Sequence, residues 1–488
     1  MEIITSHYLN KADLLTKYKE ILEKYYHLVD TSSEYRSSLS KLDEILGLLD
    51  VDLTFLIEWP YVDKVYRDTF YHYYASKKHD YSRMSVKISI FSDGVKEDQF
   101  YNIGGLEFLR GSYLGFFTLR PTFPSILGRN VISPLAFGET ILICSTKLPS
   151  TANGVKFQSI GFPHSSQDGE MITCAETTVW SIMEYFGNKY SDYKPLLPSL
   201  INKTLGKFSF ERLIPSKGLT AGQISYALKD FGFGVKIYSA HAYGTEFMKI
   251  LKMYIESGIP VVGAMQNGRI GHAVNVIGRV DIVAADVAAL PIVIKKNNIE
   301  LSEFADLDIE YVFVDDNHAP YRKAKLTTPS SYYVGYPEWA GCTITNFIVP
   351  LYPKIYLEAG EARTKSISLI ENSNLIKDKK ICIRTFLASS RSFKDHLHFS
   401  DLPLVIKKLF NSLVVPKFIW VTEIYYDGSL MDGKCNGLVV LDATEPKKMG
   451  IITFIIEDTL CLYNFEKYFK IGAQYFTNYN QNLRKYEK

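Results

Sequence analysis

The chain has 488 residues, 47% of them hydrophobic and 22% charged, with a formal net charge of +2. These values predict an ordinary globular protein of two to four domains and argue against a global nucleic-acid-binding surface. The six cysteines (Cys144, Cys174, Cys342, Cys382, Cys435 and Cys461) form no C-x-x-C pair. That argues against a disulfide framework or a zinc site and points to a reducing cytoplasm. No basic-then-apolar leader opens the chain and no run of about 18 apolar residues occurs, so neither export nor a membrane span is expected.

Residues 11–29 carry Leu14, Leu15, Tyr18, Ile21, Leu22, Tyr25 and Leu28 at helical spacing, and residues 33–49 repeat the pattern with Tyr35, Leu39, Leu42, Ile45, Leu46 and Leu49. This reads as an antiparallel helical pair. The run Trp59–Tyr74 offers a further helical face through Val62, Val65, Tyr66, Thr69, Phe70 and Tyr73. Strand-type runs follow at Val86–Phe91, Leu114–Leu119 and Thr140–Cys144, punctuated by Pro121, Pro124 and Pro134. Residues 1–150 therefore read as an N-terminal α+β domain. Arg67, Arg83, Arg120 and Arg129 fall in this aromatic region and read as stacking and pairing residues in preference to an acidic-ligand site.

The next stretch, GFPHSSQDGEMITCAETTVWSIMEY (Gly161–Tyr185), places Cys174 at the start of an amphipathic helix. Thr173 is its N-cap, and Glu176, three residues later, completes a capping box. Ala175, Val179, Ile182, Met183 and Phe186 supply the buried face. A thiol in the first turn feels the positive end of the helix dipole, which favours thiolate. Glu176 works against that unless capping turns it back onto the backbone. Gln167, seven residues upstream, can donate to an oxyanion.

A loop with Pro195, Pro198 and Pro215 leads to Thr220, which can cap a helix with the stripe Ile224, Ala227, Leu228 and Phe231, stopped by Gly232. A strand at Val235–Tyr238, a helix at Thr245–Ser257 and an apolar strand at Ile259–Met265 come next. His272 then opens a strand, with Gly271 before it to admit a substrate backbone. After the insert Val280–Ile309, a strand at Tyr311–Val314 ends in Asp315 and Asp316. The run Trp339–Pro350 closes this region. Beyond it, helices at Tyr356–Asn374 and Leu402–Leu413 alternate with strands at Ile381–Leu387, Phe418–Tyr426, Gly437–Leu441 and Met449–Ile456. Residues 351–488 thus read as a C-terminal α+β domain, and residues 151–350 as the one between.

A cysteine nucleophile needs a base, and the base needs a third group to fix its tautomer and orientation. Cys174, His272 and Asp315 or Asp316 stand in a suitable order, with the base and the acid held at strand ends. His164, upstream of the helix, reads as a loop histidine and His318 as an exposed one. Asp230 and Glu184 read as solvated helix positions, and the other five cysteines as packing residues.

The pattern Gln167…Cys174, then GLT-x-x-x-I-x-x-x-L-x-x-x-G-F (Gly218–Phe233), IPVV, GHAVNVIG (Gly271–Gly278) and VDDN-x-x-P (Val314–Pro320), resembles the papain-like cysteine peptidase superfamily. It is most similar to its bacteriocin-leader-peptidase-like branch, over residues 160–350. The resemblance implies an α+β fold with a helical half packed on an antiparallel β half and a cleft between them. It implies Cys174 as nucleophile, His272 as general base and acid, Gln167 as oxyanion donor, and Asp315 as orienting residue, with Asp316 the alternative. No cofactor or metal is implied. Ala175 and Glu176 depart from the Cys-Gly or Cys-Trp pairs frequent in that family, and the insert Val280–Ile309 is unusual and reads as a lid or an interface.

The expected function is peptide-bond hydrolysis of a protein or peptide substrate, with the flanking domains serving regulation, through a regulatory protein partner, or substrate recruitment. Acyl transfer to an amine, as in transglutaminase-like enzymes, uses the same groups. A non-catalytic binding or sensor scaffold is the third reading.

Overall fold

The computed structural model describes residues 5–92, 94–123, 126–207, 219–296, 299–373, 375–376, 378–445, 450–462, 467–472 and 475–487. Pro124, Pro215, Gly218, Asn374 and Met449 lie outside the described residues. The chain is an α+β protein built on several sheets that are almost wholly antiparallel.

The first sheet has five strands in sequence order: Thr5–Leu9, Thr54–Tyr61, Ser85–Phe91, Tyr113–Leu119 and Leu127–Ile132. The helical pair is present as Lys11–Tyr25 and Ser33–Leu48, started by Asn10 and Ser32, whose side chains accept the N–H of Asp13 and Tyr35. Leu14, Tyr18, Leu42 and Ile45 of the pair pack against Phe55, Ile57, Ile88 and Phe117 of the sheet. The helical face expected from Trp59 onward is corrected: Trp59–Tyr61 end a strand, and the helix is Lys64–His72. Asp63 sets that start by accepting the N–H groups of Val65 and Tyr66, both at 3.0 Å. The helix Ile103–Ser112 and the hairpin Thr146–Ala152/Val155–Gly161 had no counterpart in the periodicity reading.

The second sheet runs Arg322–Lys325, Glu310–Val314, Gly271–Val280, Val261–Gln266, Thr343–Leu351, Gly234–Ser239. The helix Cys174–Lys189 lies against it and is buried from Ala175 to Phe186. It is tied to the central strand: Thr178 Oγ1 donates to the Ala273 carbonyl at 3.2 Å, and Asn275 Nδ2 donates to the Thr178 carbonyl at 3.2 Å.

The third sheet contains Lys379–Ser389, Phe418–Tyr426, Gly437–Asp442, Ile451–Ile456, Thr459–Leu462 and Lys467–Lys470. The insert is an interface element. Its strands Ile294–Lys296 and Ile299–Glu303 extend this sheet, the second pairing parallel with Lys379–Ser389. Two other strands cross the expected divisions at 150 and 350. Ile141–Ile143 pairs with Gly278–Val280, and Arg484–Tyr486 returns from the C-terminus to pair with Ile141–Ile143. A short apolar run marks a strand but carries no record of which sheet edge will complete its hydrogen bonds.

Candidate active site

The capping box at Thr173–Glu176 forms. The Glu176 carboxylate accepts the Thr173 backbone N–H at 3.2 Å and also the Thr173 hydroxyl. Glu176 is buried and turned back onto its own helix start. Cys174 is left at the first helical position and is the one cysteine of six that is not buried. Burial pushes the Cys144 and Cys382 thiols up to about 12 and raises those of Cys342, Cys435 and Cys461.

One turn beyond Cys174, Thr178 anchors the helix to Ala273, which sets the thiol against His272. The Cys174 side chain faces the imidazole closely enough to add to its proton affinity. His272 Nε2 pairs with Asp315 Oδ1 at 2.9 Å, so Nδ1 is the nitrogen left for the thiol. Burial by itself lowers the proton affinity of His272. The charge and hydrogen bond of Asp315 outweigh it and raise the imidazole well above its ordinary 6.5.

The register explains why Asp315 is the partner. Asn275 stands opposite Val314. One step further, Asp315 falls opposite Val274, which shares a strand face with His272. Asp315 is fully buried and accepts four hydrogen bonds: from His272, from the Asn317 N–H at 2.9 Å, and from the hydroxyls of Tyr332 at 2.9 Å and Tyr333 at 2.6 Å. Burial raises its pKa, but His272 and these donors hold the carboxyl well below the usual range. Asp316 Oδ1 lies 3.5 Å from His272 Nε2, yet neither of its oxygens has a hydrogen-bond donor among the described residues. Desolvation, opposed by His272 and reinforced by Asp315, lifts Asp316 to about 7.

Gln167 lies at the mouth of the site, with its Nε2 donated to Asn317 Oδ1 at 2.7 Å. That bond engages one of its two amide hydrogens and leaves the other for a ligand. Gly271 opens onto free space, since a Cβ there would meet no atom within 4 Å.

Several supporting residues were not singled out by the sequence. Trp339 sets its edge against His272, with ring centroids 5.2 Å apart, and Tyr333 stacks on Trp339 at 4.0 Å. His164, expected as a loop residue, is buried. Its Nε2 meets the Asp315 carbonyl at 3.0 Å and its Nδ1 meets Asn130 at 2.7 Å, and burial lowers it to about 4. His318, expected to be exposed, is half-buried against Tyr332 and Tyr333. Glu184, expected in solvent, is buried beside Arg129 at 3.6 Å. Only the S-S-Y-Y run at 330–333 hinted at hydroxyls near the site, and nothing local marks them as ligands of a distant carboxylate.

Two cavities adjoin the His272–Asp315–Asp316 group. One, of about 560 Å³, is walled by Tyr333, Tyr336, Pro337, Trp339 and Cys342 and is mainly apolar. The other, of about 470 Å³, is polar and includes Gln167 and Asp316. His272, Asp315 and Asp316 also bring three ligand atoms within 4.8 Å of one another. As a metal site this set fits poorly: Asp315 already accepts four donors, and the free imidazole nitrogen faces the thiol. No described helix is long and apolar enough to cross a membrane. No protein-family model matches the chain, and no curated protein matches its sequence.

Proposed function

We propose that this protein is a papain-like cysteine peptidase that hydrolyses peptide bonds through Cys174, His272 and Asp315. One observation carries the reading. The single accessible thiol of six stands at a helix start against an imidazole whose other nitrogen is held by a buried, four-donor carboxylate.

In that reading Cys174 Sγ attacks the substrate carbonyl carbon as His272 holds the thiol proton, and an S–C bond forms. His272 then gives the proton to the departing amine as the C–N bond breaks. Water attacks the thioester, losing a proton to His272. The C–S bond breaks, the acid leaves, and the proton returns to sulfur. Asp315 keeps Nε2 protonated and the ring oriented throughout, and Trp339 and Tyr333 keep the ring from turning away. The second amide hydrogen of Gln167 is the side-chain donor for the oxyanion.

A peptidyl acylating probe directed at thiols tests this. It is expected to modify Cys174 in preference to the five buried cysteines, and His272→Ala should suppress the labelling. Equal labelling of all six, or none at Cys174, would refute the assignment.

A further inference from the structure

The polar cavity is not made by the catalytic region alone. Its outer wall is Ser40, Lys41 and Glu44 on the second helix of the N-terminal pair, and its inner wall includes Gln167, Asp168 and Asp316. Among these charged residues one is basic and three are acidic. Lys41 is held by Glu44 at 2.8 Å, and the other oxygen of Glu44 receives Arg322 at 3.3 Å. Those charges are answered at the rim.

The inner two are different. Asp316 is 6% exposed, and both its oxygens lack a hydrogen-bond donor among the described residues. Asp168 is 5% exposed. Its Oδ1 accepts the N–H groups of Glu170, Met171 and Ile172 at 2.8–2.9 Å, which fixes the loop before Cys174. Its Oδ2 has no such donor among the described residues. The charge of Arg120 reaches Asp168, but that guanidinium donates to the carbonyls of Leu127 and Ser166. A buried carboxylate without donors is costly unless something supplies them. The side chain nearest Asp316, His272, is committed to Asp315, whereas beside Asp168 the buried Tyr74 hydroxyl has no partner of its own among the described residues.

We propose that this cavity binds a cationic group, a primary ammonium or a guanidinium, on Asp316 and Asp168, with the N-terminal helical pair forming the outer wall of the substrate site. Cation binding itself does not rest on the peptidase reading, whereas the word substrate and the two sources of the cation do. The cation has two sources: a basic group of the peptide that is cleaved, or an amine that takes the acyl group from Cys174 in place of water. In the second case a guanidinium holds the acceptor in the cavity while its separate amine, having released one proton to solvent, bonds to the acyl carbon; the C–S bond breaks, and the proton lost by the attacking nitrogen passes through His272 to sulfur.

The test uses the full-length Cys174→Ala chain, which cannot turn over, titrated by calorimetry with Nα-acetylarginine amide and Nα-acetylcitrulline amide. With the α-amine acetylated, the two differ only in carrying a guanidinium or a neutral urea. The arginine amide is expected to bind at least about tenfold more tightly. Asp316→Asn should remove that preference. So should Ser40→Arg, which reaches into the cavity from an exposed helix position and leaves both carboxylates intact. Equal binding of the two amides overturns the proposal, and so does a preference that survives both substitutions. Because this binding needs no nucleophile, its failure leaves the peptidase reading standing, and failed labelling of Cys174 leaves the cation site standing.

In the active chain, two further measurements separate the sources. Arginine replaced by citrulline at successive positions of a peptide slows cleavage if the cation belongs to the substrate. Excess agmatine yields a peptidyl-agmatine product if it is the acceptor. In a chain that cleaves peptide, indifference to both overturns the proposal.

Discussion

The strand Gly271–Val280 carries buried charge near both of its ends, in opposite states of balance. Near its C-terminal end, Arg279 donates to Glu256 at 2.5 Å, and Arg384 grips the other oxygen of Glu256 at 2.8 and 2.9 Å. Arg384 also reaches Glu423 at 3.1 Å, where the Tyr425 hydroxyl and the Tyr479 N–H complete the acceptor set. Two cations face two anions, and each carboxylate oxygen has a donor. At the N-terminal end, one imidazole faces two carboxylates, and Asp316 has no hydrogen-bond donor among the described residues. The first arrangement ties the second sheet to the third. The second is electrostatically incomplete, which is how groups that move protons or bind charge are commonly found.

The largest expected effect is at the incomplete end. His272→Ala should lower peptide hydrolysis by about a thousand-fold, in the range of a lost general base, with little change in melting temperature. Steady-state kinetics beside a thermal melt would read both. The balanced end should respond in the reverse sense. Glu256→Gln leaves two buried guanidinium groups facing one carboxylate and should cost about 3 kcal/mol of stability in urea unfolding, while activity per folded molecule holds. If Glu256→Gln instead abolished activity without destabilising, the division between the two ends would fail.

Tyr333→Phe removes the 2.6 Å hydroxyl from Asp315 and should lower kcat/KM about tenfold. The pH dependence is a finer probe. His272 is raised in the fold, so the stability it lends is complete below pH 6.5 and is lost as pH climbs through its higher folded value. Asp316 is also raised, so stability falls with pH between its ordinary 3.8 and about 7 as the buried proton is given up. Asp316→Asn should therefore raise the melting temperature by about 2 °C or more at pH 8 and leave it unchanged at pH 4. A gain at both pH values would mean that the substitution acts through packing and that Asp316 is not the buried acid of the site.

The amphipathic helices were legible because burial imposes a 3.6-residue period. Lys11–Tyr25, Ser33–Leu48, Cys174–Lys189 and Ala221–Asp230 each fall where the stripe and cap placed them. Helices without a clean stripe, such as Ile103–Ser112, and the Ser390–Phe399 helix after the strand Lys379–Ser389, were not legible. For the site, Cys174, His272 and Asp315 were legible as a helix start and two strand ends. The supporting layer was not: Tyr332, Tyr333, Trp339 and His164 reach Asp315 or His272 from other segments, and no local period records a contact across 17 to 151 residues of chain.

By itself, then, the sequence determined what local physics determines: where helices start and stop, which faces are apolar, and that a thiol, an imidazole and a carboxylate sit at element ends. Tertiary structure alone decided the rest. It sent the insert 280–309 and the C-terminal Arg484–Tyr486 to sheets far from their neighbours in the chain. It chose Asp315 over Asp316 by strand register and brought the N-terminal helical pair to the rim of the site. The reason is common to all four. Hydrogen-bond partners for strand edges and buried carboxylates come from segments far apart in sequence, and only packing brings those segments together.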